Sequence, residues 1–591
     1  MATVLDGEGS GRPAARGRGL RDPFVLGVAA LVLLALALRL WGIRWGLPLS
    51  YNLDERSHFV PRAVAFFAKH SINPDYQLNP SGLIEWIALA LAVVHRSSHK
   101  VVDTWQTDPG EIWTVARVAG ALLATSAIAL IALAGARLFD RRAGLVAAAL
   151  LATMFLPVHY GHLALNDAPS LAPTALGLWA IAGILRLGRR RDYVLAGLAL
   201  GTGIGLKYNA AFLGLPLLTA VALRVLNEGG EARGPAVRTA ALGLVLTAVA
   251  ALIGLFVTDP YAFLDTARLR ADLTHLSDYT KGGLLLGETQ TSGHKYYLWS
   301  IGWGYGYLPA LLTAVGGVIL LAKDRAKALL LIPAPVVFFL YVGAQGRYFA
   351  RYIMPVFPVM VLVAAAGIVW LADRLAPRLR TPALLVLAVL ACGQGLVTSV
   401  HNDRVLARDD TRSLARAWMV RHIPAGTTIL VEPLVPQEWY RDGGRPGPDG
   451  STTSQAGYRW KRFVRTRADI RRQARVFKGA RRRADFANYA YTLYPGLIPY
   501  YRARGVCWIV SGSTQSGRAF NNPRRTPQAI AYYRALQRAA TPAFVASPFG
   551  GPNDGPRNFF QFDKAFNFYS LAYDRPGPRM TVYRLKGCTP S

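Results

Sequence analysis

Long apolar runs, separated by short polar connections rich in arginine, dominate the first 400 positions. The first run, residues 24–43, reaches the ~20 residues that a helix needs to cross a bilayer. Others follow at 113–136, 143–160, 169–187, 193–206, 208–226, 239–257, 298–322, 328–342, 353–372 and 382–400, so the pattern predicts about eleven spans. The runs at 193–206 and 328–342 are short for a span, and Gly201, Gly203 and Gly205 are expected to loosen one helix. Residues 54–70 and 82–95 are amphipathic or apolar but brief, and are expected to lie along the membrane interface. Charge decides this. Arginine and lysine in short loops mark the cytoplasmic side. If 82–95 spanned, Arg137, Arg141, Arg142 and Arg186 to Arg191 would face outward. With that segment lying flat, these connections face the cytoplasm, the N-terminus is cytoplasmic and the C-terminal region is extracytoplasmic. The stretch 345–351, with Arg347 and Arg351, is the main exception on the outer side. A charge exception at a membrane boundary hints at function.

Beyond residue 400 the periodicity changes. Residues 411–422 read as a helix ended by Pro424, and 524–540 contain another. Residues 428–432, 506–510 and 580–585 read as short strands. These elements predict a small α/β domain outside the membrane. Residues 441–454, rich in Gly, Pro and Asp, read as a mobile loop. The chain therefore divides into a cytoplasmic tail, 1–23, a transmembrane domain, 24–400, and an extracytoplasmic soluble domain, 401–591.

Composition agrees. A hydrophobic share of 52% excludes disordered and collagen-like chains. The net charge of +33 would suggest nucleic acid in a soluble protein. Here many basic residues sit in short loops and aromatics do not interleave with them, so no nucleic-acid partner is expected. The basic run 461–483 reads as a solvated face. Of three cysteines, Cys392 lies in an apolar run, while Cys507 and Cys588 could pair without the spacing indicating that they do. Arg12, Arg16, Arg18 and Arg21 precede the first run as in a signal peptide, but no small-residue cleavage site follows it. An uncleaved first span is the better reading.

On this topology polar residues near the spans collect on the outer side. Asp54, Glu55, Arg56 and His58 follow the first span; Asn166, Asp167, Lys207, Tyr208, Arg347, Tyr348 and Arg351 lie at later outer turns. Glu288 and His294 lie in a long outer loop. Acids facing cations at a membrane surface suit glycosyl transfer from a lipid phosphate. A carboxylate takes the proton of an acceptor hydroxyl, and Lys or Arg stabilises charge on the departing phosphate. Plainer roles exist for each. Asp54-Glu55 could start a helix, Asp167 could cap one beginning at Pro169, Lys207 could snorkel, and Arg347 and Arg351 could meet headgroups. His159 and His162 could join Asp54 around a metal, although interfacial histidines are the simpler reading.

Several motifs carry a resemblance, in order along residues 24–400. They are Asp54-Glu55 after the first span, Arg117 opening the next, and Phe139-Asp140-Arg141-Arg142. Then come His162 with Asn166-Asp167-Ala168-Pro169, Lys207-Tyr208 after a Gly-rich turn, and Arg351-Tyr352 with Pro355 and Pro358. The chain resembles the GT-C class of membrane glycosyltransferases, in the branch containing protein O-mannosyltransferases and lipid A aminoarabinose transferases. That resemblance implies an α-helical polytopic GT-C fold in the cell membrane with a C-terminal α/β extracytoplasmic domain. It also implies inverting transfer of a hexosyl or pentosyl group from a polyprenyl-phosphate donor to an acceptor hydroxyl. The partners implied are that donor, membrane lipid, and an acceptor glycan, protein or lipid. Asp54 would be the base, with Glu55 and Asp167 positioning or sharing the task. Arg56, Lys207, Arg347 and Arg351 would hold the donor phosphate. His58, Asn166, Tyr208, Glu288, His294 and Tyr348 would line the substrate pocket. No cofactor is firmly implied; a divalent metal is compatible but not required. The alternative is a transporter or flippase of a lipid-linked or anionic solute. That class places its polar site near the midplane, between repeated halves, whereas these acids lie at the outer rim.

Overall fold

A computed structural model describes residues 22–228, 232–282, 286–288, 292–442, 457–465, 486–550, 555, 557–558, 560 and 571–589. The N-terminal arginines, the expected loop from 443 onward and the basic run from 466 to 483 lie outside the described residues.

Every predicted apolar run is helical. Among the described residues, eight helices are long and apolar enough to span, or nine if the bent pair Arg141–Thr153 and Phe155–Gly161 is one span. The other two expected spans form as Leu171–Leu187 and Arg190–Leu206, each of 17 residues. At ~1.5 Å per residue they fall a few ångströms short of a ~30 Å hydrocarbon core. Length and composition thus support eight or nine spans rather than eleven.

The bend of 57° within the pair has a local cause. Pro157 has no N–H to give the Thr153 carbonyl four residues back. Ser399, from helix Pro377–Leu406, donates to that carbonyl instead, at 3.1 Å. The glycines near residue 201 do the opposite of loosening. Helix Arg190–Leu206 is continuous, and Gly197, Gly201 and Gly205 lie against helix Arg233–Thr258. A Cβ at Gly201 would overlap the Ala251 carbonyl, so this column permits close backbone approach, as small residues do between membrane helices.

The arginine-rich connections meet at one end of the bundle. Arg141 pairs with Asp22 at 3.0 Å, Arg142 with Asp373 at 2.8 Å and Arg137 with Asp192 at 2.9 Å. Lys327 lies over the Phe139 ring, 5.3 Å from its centroid. The charge alternation had required these loops to share a side. Asp54, Asp167, Lys207 and Arg351 gather elsewhere, at other helix ends. After the first span come helices Val60–Lys69 and Gly82–His95, at the expected positions, and a third, Ser98–Thr107, that the sequence pattern missed.

Among the described residues the C-terminal domain is built on a five-stranded sheet. Its strands are β1 (Thr428–Val431), β2 (Lys461–Arg462), β3 (Trp508–Gly512), β4 (Ala540–Ala546) and β5 (Met580–Leu585), in the order β2-β1-β3-β5-β4. β2, β1 and β3 run parallel; β5 is antiparallel to β3 and β4. β2 and β4 were not legible in the sequence. β2 is two exposed residues, and β4 is an edge strand carrying Pro542 and mostly exposed side chains. Cys507 and Cys588 are disulfide-bonded. The domain docks on the turn after the first span: Trp45 donates to Asp410 at 3.2 Å, and Arg412 lies 3.9 Å over Tyr51.

Glu432, directly after β1, is buried and accepts from Ser511 Oγ at 3.0 Å, the Gly512 N–H at 2.9 Å and Tyr533 Oη at 2.8 Å. Burial outweighs these donors and pushes its carboxyl from 4.5 up to about 7. The folded state therefore holds the proton more tightly than the unfolded chain. Stability from this group is full below the unfolded value and is lost as pH rises towards the folded one, by about 3 kcal/mol in all. Thermal melts followed through the domain's tryptophans should fall between about pH 5 and about pH 7.5, and Glu432→Gln should flatten that fall. An unaltered slope in the variant would assign the dependence elsewhere.

Candidate functional site

The first span ends at Leu40, and the chain reaches Asp54 through irregular turns. A single π turn, Glu55–Phe59, follows. Such turns widen the helix locally and re-aim side chains. Here the two adjacent acids part company.

Glu55 points inward and is fully buried. Arg117 grips it with two bonds, Nε to Oε1 at 2.7 Å and Nη2 to Oε2 at 2.8 Å. Ser50 Oγ and the Ala164 N–H add bonds of 2.9 Å each. Arg117 also donates to the carbonyls of Ile43 and Trp45, at 2.7 and 2.8 Å. This pair ties the loop after the first span to helix Pro109–Leu138 and to the 162–170 turn, with both carboxylate oxygens engaged.

Asp54 points the other way. Arg351 Nη2 lies 2.6 Å from its Oδ2, and His58 Nε2 lies 3.9 Å from its Oδ1. The same guanidinium reaches Asp167, with Nε 3.9 Å from Oδ1. Lys207 is the closer partner of Asp167, bonding the same oxygen. Its placement follows from Asn166, which donates to the Leu206 carbonyl at 2.7 Å and so holds the end of helix Arg190–Leu206. The next residue, Lys207, is thereby set against Asp167. Two acids and two cations form one cluster, and Tyr352 walls it, with Lys207 and Arg351 each 5.7 Å from its ring centroid.

Exposure separates the acids. The Asp54 side chain is 31% exposed and that of Asp167 4%; Arg351 and Lys207 are at 14% and 11%. Asp54 is the carboxylate that solvent or a substrate reaches.

Helix Thr266–Lys281 borders this opening. Its Tyr279 lies under Arg347, at 4.0 Å. Burial pushes the Tyr279 hydroxyl up; Arg347 and Arg351 oppose that shift, while Asp54 and Glu288 add to it. Tyr279 thus stands among these predicted residues. His58 stacks on Tyr76 at 5.2 Å, and burial lowers its pKa against the opposing pull of Asp54.

Other predicted residues lie apart. Tyr208 donates to the Gln77 carbonyl at 2.9 Å, beside a second polar group in which Gln77 Nε2 meets Asp259 at 2.8 Å. His294 packs on Phe339 at 5.5 Å, and Tyr348 on Tyr296 at 4.5 Å. Glu288 acts electrostatically on Tyr348 as well as Tyr279. Arg56 is half-buried in the π turn. His159 and His162 do not join Asp54: His159 bonds Asn402 at 2.9 Å, and His162 lies 2.9 Å from the Trp41 carbonyl and 3.3 Å from Asp403. Among the described residues no group of three or more His, Cys, Asp or Glu side chains is placed to hold a metal. Sequence reasoning gave neither Arg117 nor Tyr352 its role and did not find Tyr279. Arg117 did carry a signal, as a lone cation within an apolar run.

Residues 110–253 match the family model described as dolichyl-phosphate-mannose-protein mannosyltransferase. None of the curated proteins matches the sequence. Among solved structures, the oligosaccharyltransferase of Archaeoglobus fulgidus in its apo form superposes with a TM-score of 0.51 at 13% identity, over 89% of this chain and 73% of that one. The same organism's AglB, in complex with an inhibitory peptide and a dolichol-phosphate, gives 0.51 at 12% identity over the same shares. ArnT from Cupriavidus metallidurans, in the apo state, is 19% identical over 67% of this chain and 68% of that one, with a TM-score of 0.43. The oligosaccharyltransferase likeness carries the fold. Through residues 110–253 the chain's sequence is related to the dolichyl-phosphate-mannose-protein mannosyltransferase family, and its architecture is that of a polytopic helical membrane protein with a GT-C-like fold.

Proposed function

We propose that this protein transfers a sugar from a polyprenyl-phosphate carrier to an acceptor hydroxyl on the extracytoplasmic side of the membrane, with inversion. The observation that carries the reading is the exposed Asp54 beside Arg351, which also reaches the Asp167–Lys207 pair. The acceptor oxygen forms a bond to the sugar's anomeric carbon and yields its proton to Asp54. The bond from that carbon to the phosphate oxygen breaks, and the electron pair leaves with the lipid phosphate. Arg351 and Lys207 take up the developing charge. Before the donor arrives these cations are held by the two carboxylates. A bound phosphate competes for them, and Asp54 loses counter-charge and becomes a stronger base. Asp167 positions Lys207 and Arg351; Glu55 and Arg117 hold the loop that presents Asp54. Arg347, with Tyr279, lies where it can meet the carrier's phosphate or headgroup region. The extracytoplasmic placement is supported by the charge alternation and by the Cys507–Cys588 disulfide, a bond that persists in oxidising compartments.

Lys207→Ala is expected to weaken donor binding more than acceptor use. A charge-assisted bond to phosphate is worth about 1.5–3 kcal/mol, so donor Kd should rise about 10- to 100-fold. Titration of the purified variant with polyprenyl phosphate measures this. An unchanged Kd would remove Lys207 from the donor site.

A further inference from the structure

The second polar group, beside Tyr208, sits where three helix ends meet. Ser81 precedes helix Gly82–His95, Gly205 lies in the last turn of helix Arg190–Leu206, and Thr258 closes helix Arg233–Thr258. A Cβ at Gly82 would overlap the Gly205 carbonyl and press on that of Thr258, so the three ends are in backbone contact. Two acids meet at this junction. Asp259, directly after Thr258, is fully buried, and Glu85, in the first turn of Gly82–His95, is half-buried. A serine at a helix start ordinarily caps its own helix. The Ser81 hydroxyl instead stands between the two carboxylates, 2.8 Å from Glu85 Oε1 and 2.8 Å from Asp259 Oδ1.

A hydroxyl carries one proton and gives it to one acceptor. With both acids ionised, one of the two contacts would set lone pair against lone pair, away from water that could relieve it. One acid must then be protonated and donate to Ser81 Oγ. Asp259 Oδ1 also accepts from Gln77 Nε2 at 2.8 Å, which favours the anion there and the proton on Glu85. Burial pushes the Glu85 carboxyl from 4.5 up to about 7; Ser81 opposes that shift and the Asp259 charge adds to it. Among the described residues no cation acts on either acid. The charged groups on the elements packed around them are engaged or remote. On helix Thr266–Lys281, Arg268 pairs with Asp272, which accepts from the Gln77 N–H. On Val60–Lys69, Lys69 pairs with Asp75, and Arg62 lies over Tyr76. On Pro109–Leu138, Glu111 faces His95 and Arg117 holds Glu55, while Lys207 is bonded to Asp167. His99, Lys100 and Asp103 of Ser98–Thr107 are exposed. The charges of Arg190–Leu206 and Arg233–Thr258 lie at the opposite ends of those helices, at 190–192 and 233–238.

We propose that Glu85 is held as a neutral carboxylic acid that donates to Ser81, which donates to an ionised Asp259, and that this shared proton latches the 77–85 segment to the ends of the two neighbouring helices. Lys207 follows directly after one of those ends. When the proton leaves for water, two anions face one hydroxyl and the latch opens. The folded state holds this proton more tightly than the unfolded chain does. The latch is therefore complete below about pH 4.5 and is lost as pH rises through about 7. The assignment concerns this junction alone and does not rest on the transfer reaction.

Infrared spectra and hydrogen exchange of the detergent-purified full chain test it. At about pH 6 ordinary carboxyls, near ~4.3, are ionised. There the carbonyl band of one protonated carboxyl should be lost in Glu85→Gln. Asp259→Asn should lose it too, because the amide donates to Ser81 and the hydroxyl then satisfies an ionised Glu85. If the first variant does not fold, the second reads the same proton. Exchange of the native segments 77–85 and 258–262, corrected for the intrinsic effect of pH, should quicken by about tenfold between about pH 6 and about pH 8.5, the equivalent of one pH unit of proton linkage. Glu85→Gln keeps a donor towards Ser81 and should exchange slowly at both. A carboxyl band that survives in the folded variant would overturn the proposal, as would native exchange that does not respond to pH. A Glu85→Gln variant that follows the native pH response would overturn it too, since another group would then work the latch.

Discussion

Asp54→Asn is expected to lower single-turnover transfer by ~10²–10⁴-fold while leaving folding and donor binding near those of the native protein. Asparagine keeps the size of the side chain and can still accept one bond from Arg351, which now lies 2.6 Å from the Asp54 carboxylate. It cannot take the acceptor's proton. The stability change should be small, because Asp54 is 31% exposed and its pair with Arg351 is partly screened. Asp167→Asn should cost less in rate and more in donor binding, since Asp167 is buried and holds Lys207 in place. The measurement is single-turnover transfer from a preloaded donor, with thermal melts matched for each variant. Retention of more than about a tenth of the native rate in Asp54→Asn, against the ~10²-fold minimum for a lost base, would show that Asp54 is not the base.

Arg117→Met should destabilise the protein by about 3–5 kcal/mol, the cost of leaving one partner of a buried ion pair behind. Arg117 and Glu55 are both fully buried, and two carbonyls as well as the carboxylate depend on that guanidinium. With it gone, Glu55 loses its counter-charge and the 44–55 loop loses its tether. Thermal melts in nanodiscs would measure the loss. The double variant Arg117→Met with Glu55→Gln should recover part of it, because the unpaired charge is then removed. A fall of less than about 1 kcal/mol would place the pair among ion pairs of little weight. The contrast between the two substitutions separates adjacent acids that the sequence presents as equals.

Much of the fold was legible because its cause is local. Apolar runs of about 20 residues have one solution in a bilayer, a helix, and arginine in short loops fixes which ends face one way. The ion pairs Arg141–Asp22, Arg142–Asp373 and Arg137–Asp192 gather those loops at one end. Helix Thr411–His422 was read to the residue because Asp410 caps it and Pro424 follows. The glycines near residue 201 misled for a physical reason. Glycine weakens an isolated helix, but between membrane helices it admits a neighbouring backbone, and only the partner helix Arg233–Thr258 shows which effect wins. β2 and β4 stayed hidden because two exposed residues, or an edge strand with a proline, have no period to detect.

The candidate site divides in the same way. The sequence by itself determined that Asp54, Asp167, Lys207 and Arg351 stand near span ends, since charge is excluded from the runs on either side. It could not determine that residues as much as 297 apart touch. The tertiary structure decided that Arg351 bridges two acids, that Asp54 keeps an exposed face and that Glu55 is consumed by Arg117. It also decided that His159 and His162 turn to Asn402 and Trp41 instead of a metal. Local hydrophobicity dictates where a polar residue stops along the membrane normal. Which partner it meets there is settled by helix packing, through a π turn at Glu55–Phe59 and a bend at Met154 that redirect side chains by a fraction of a turn.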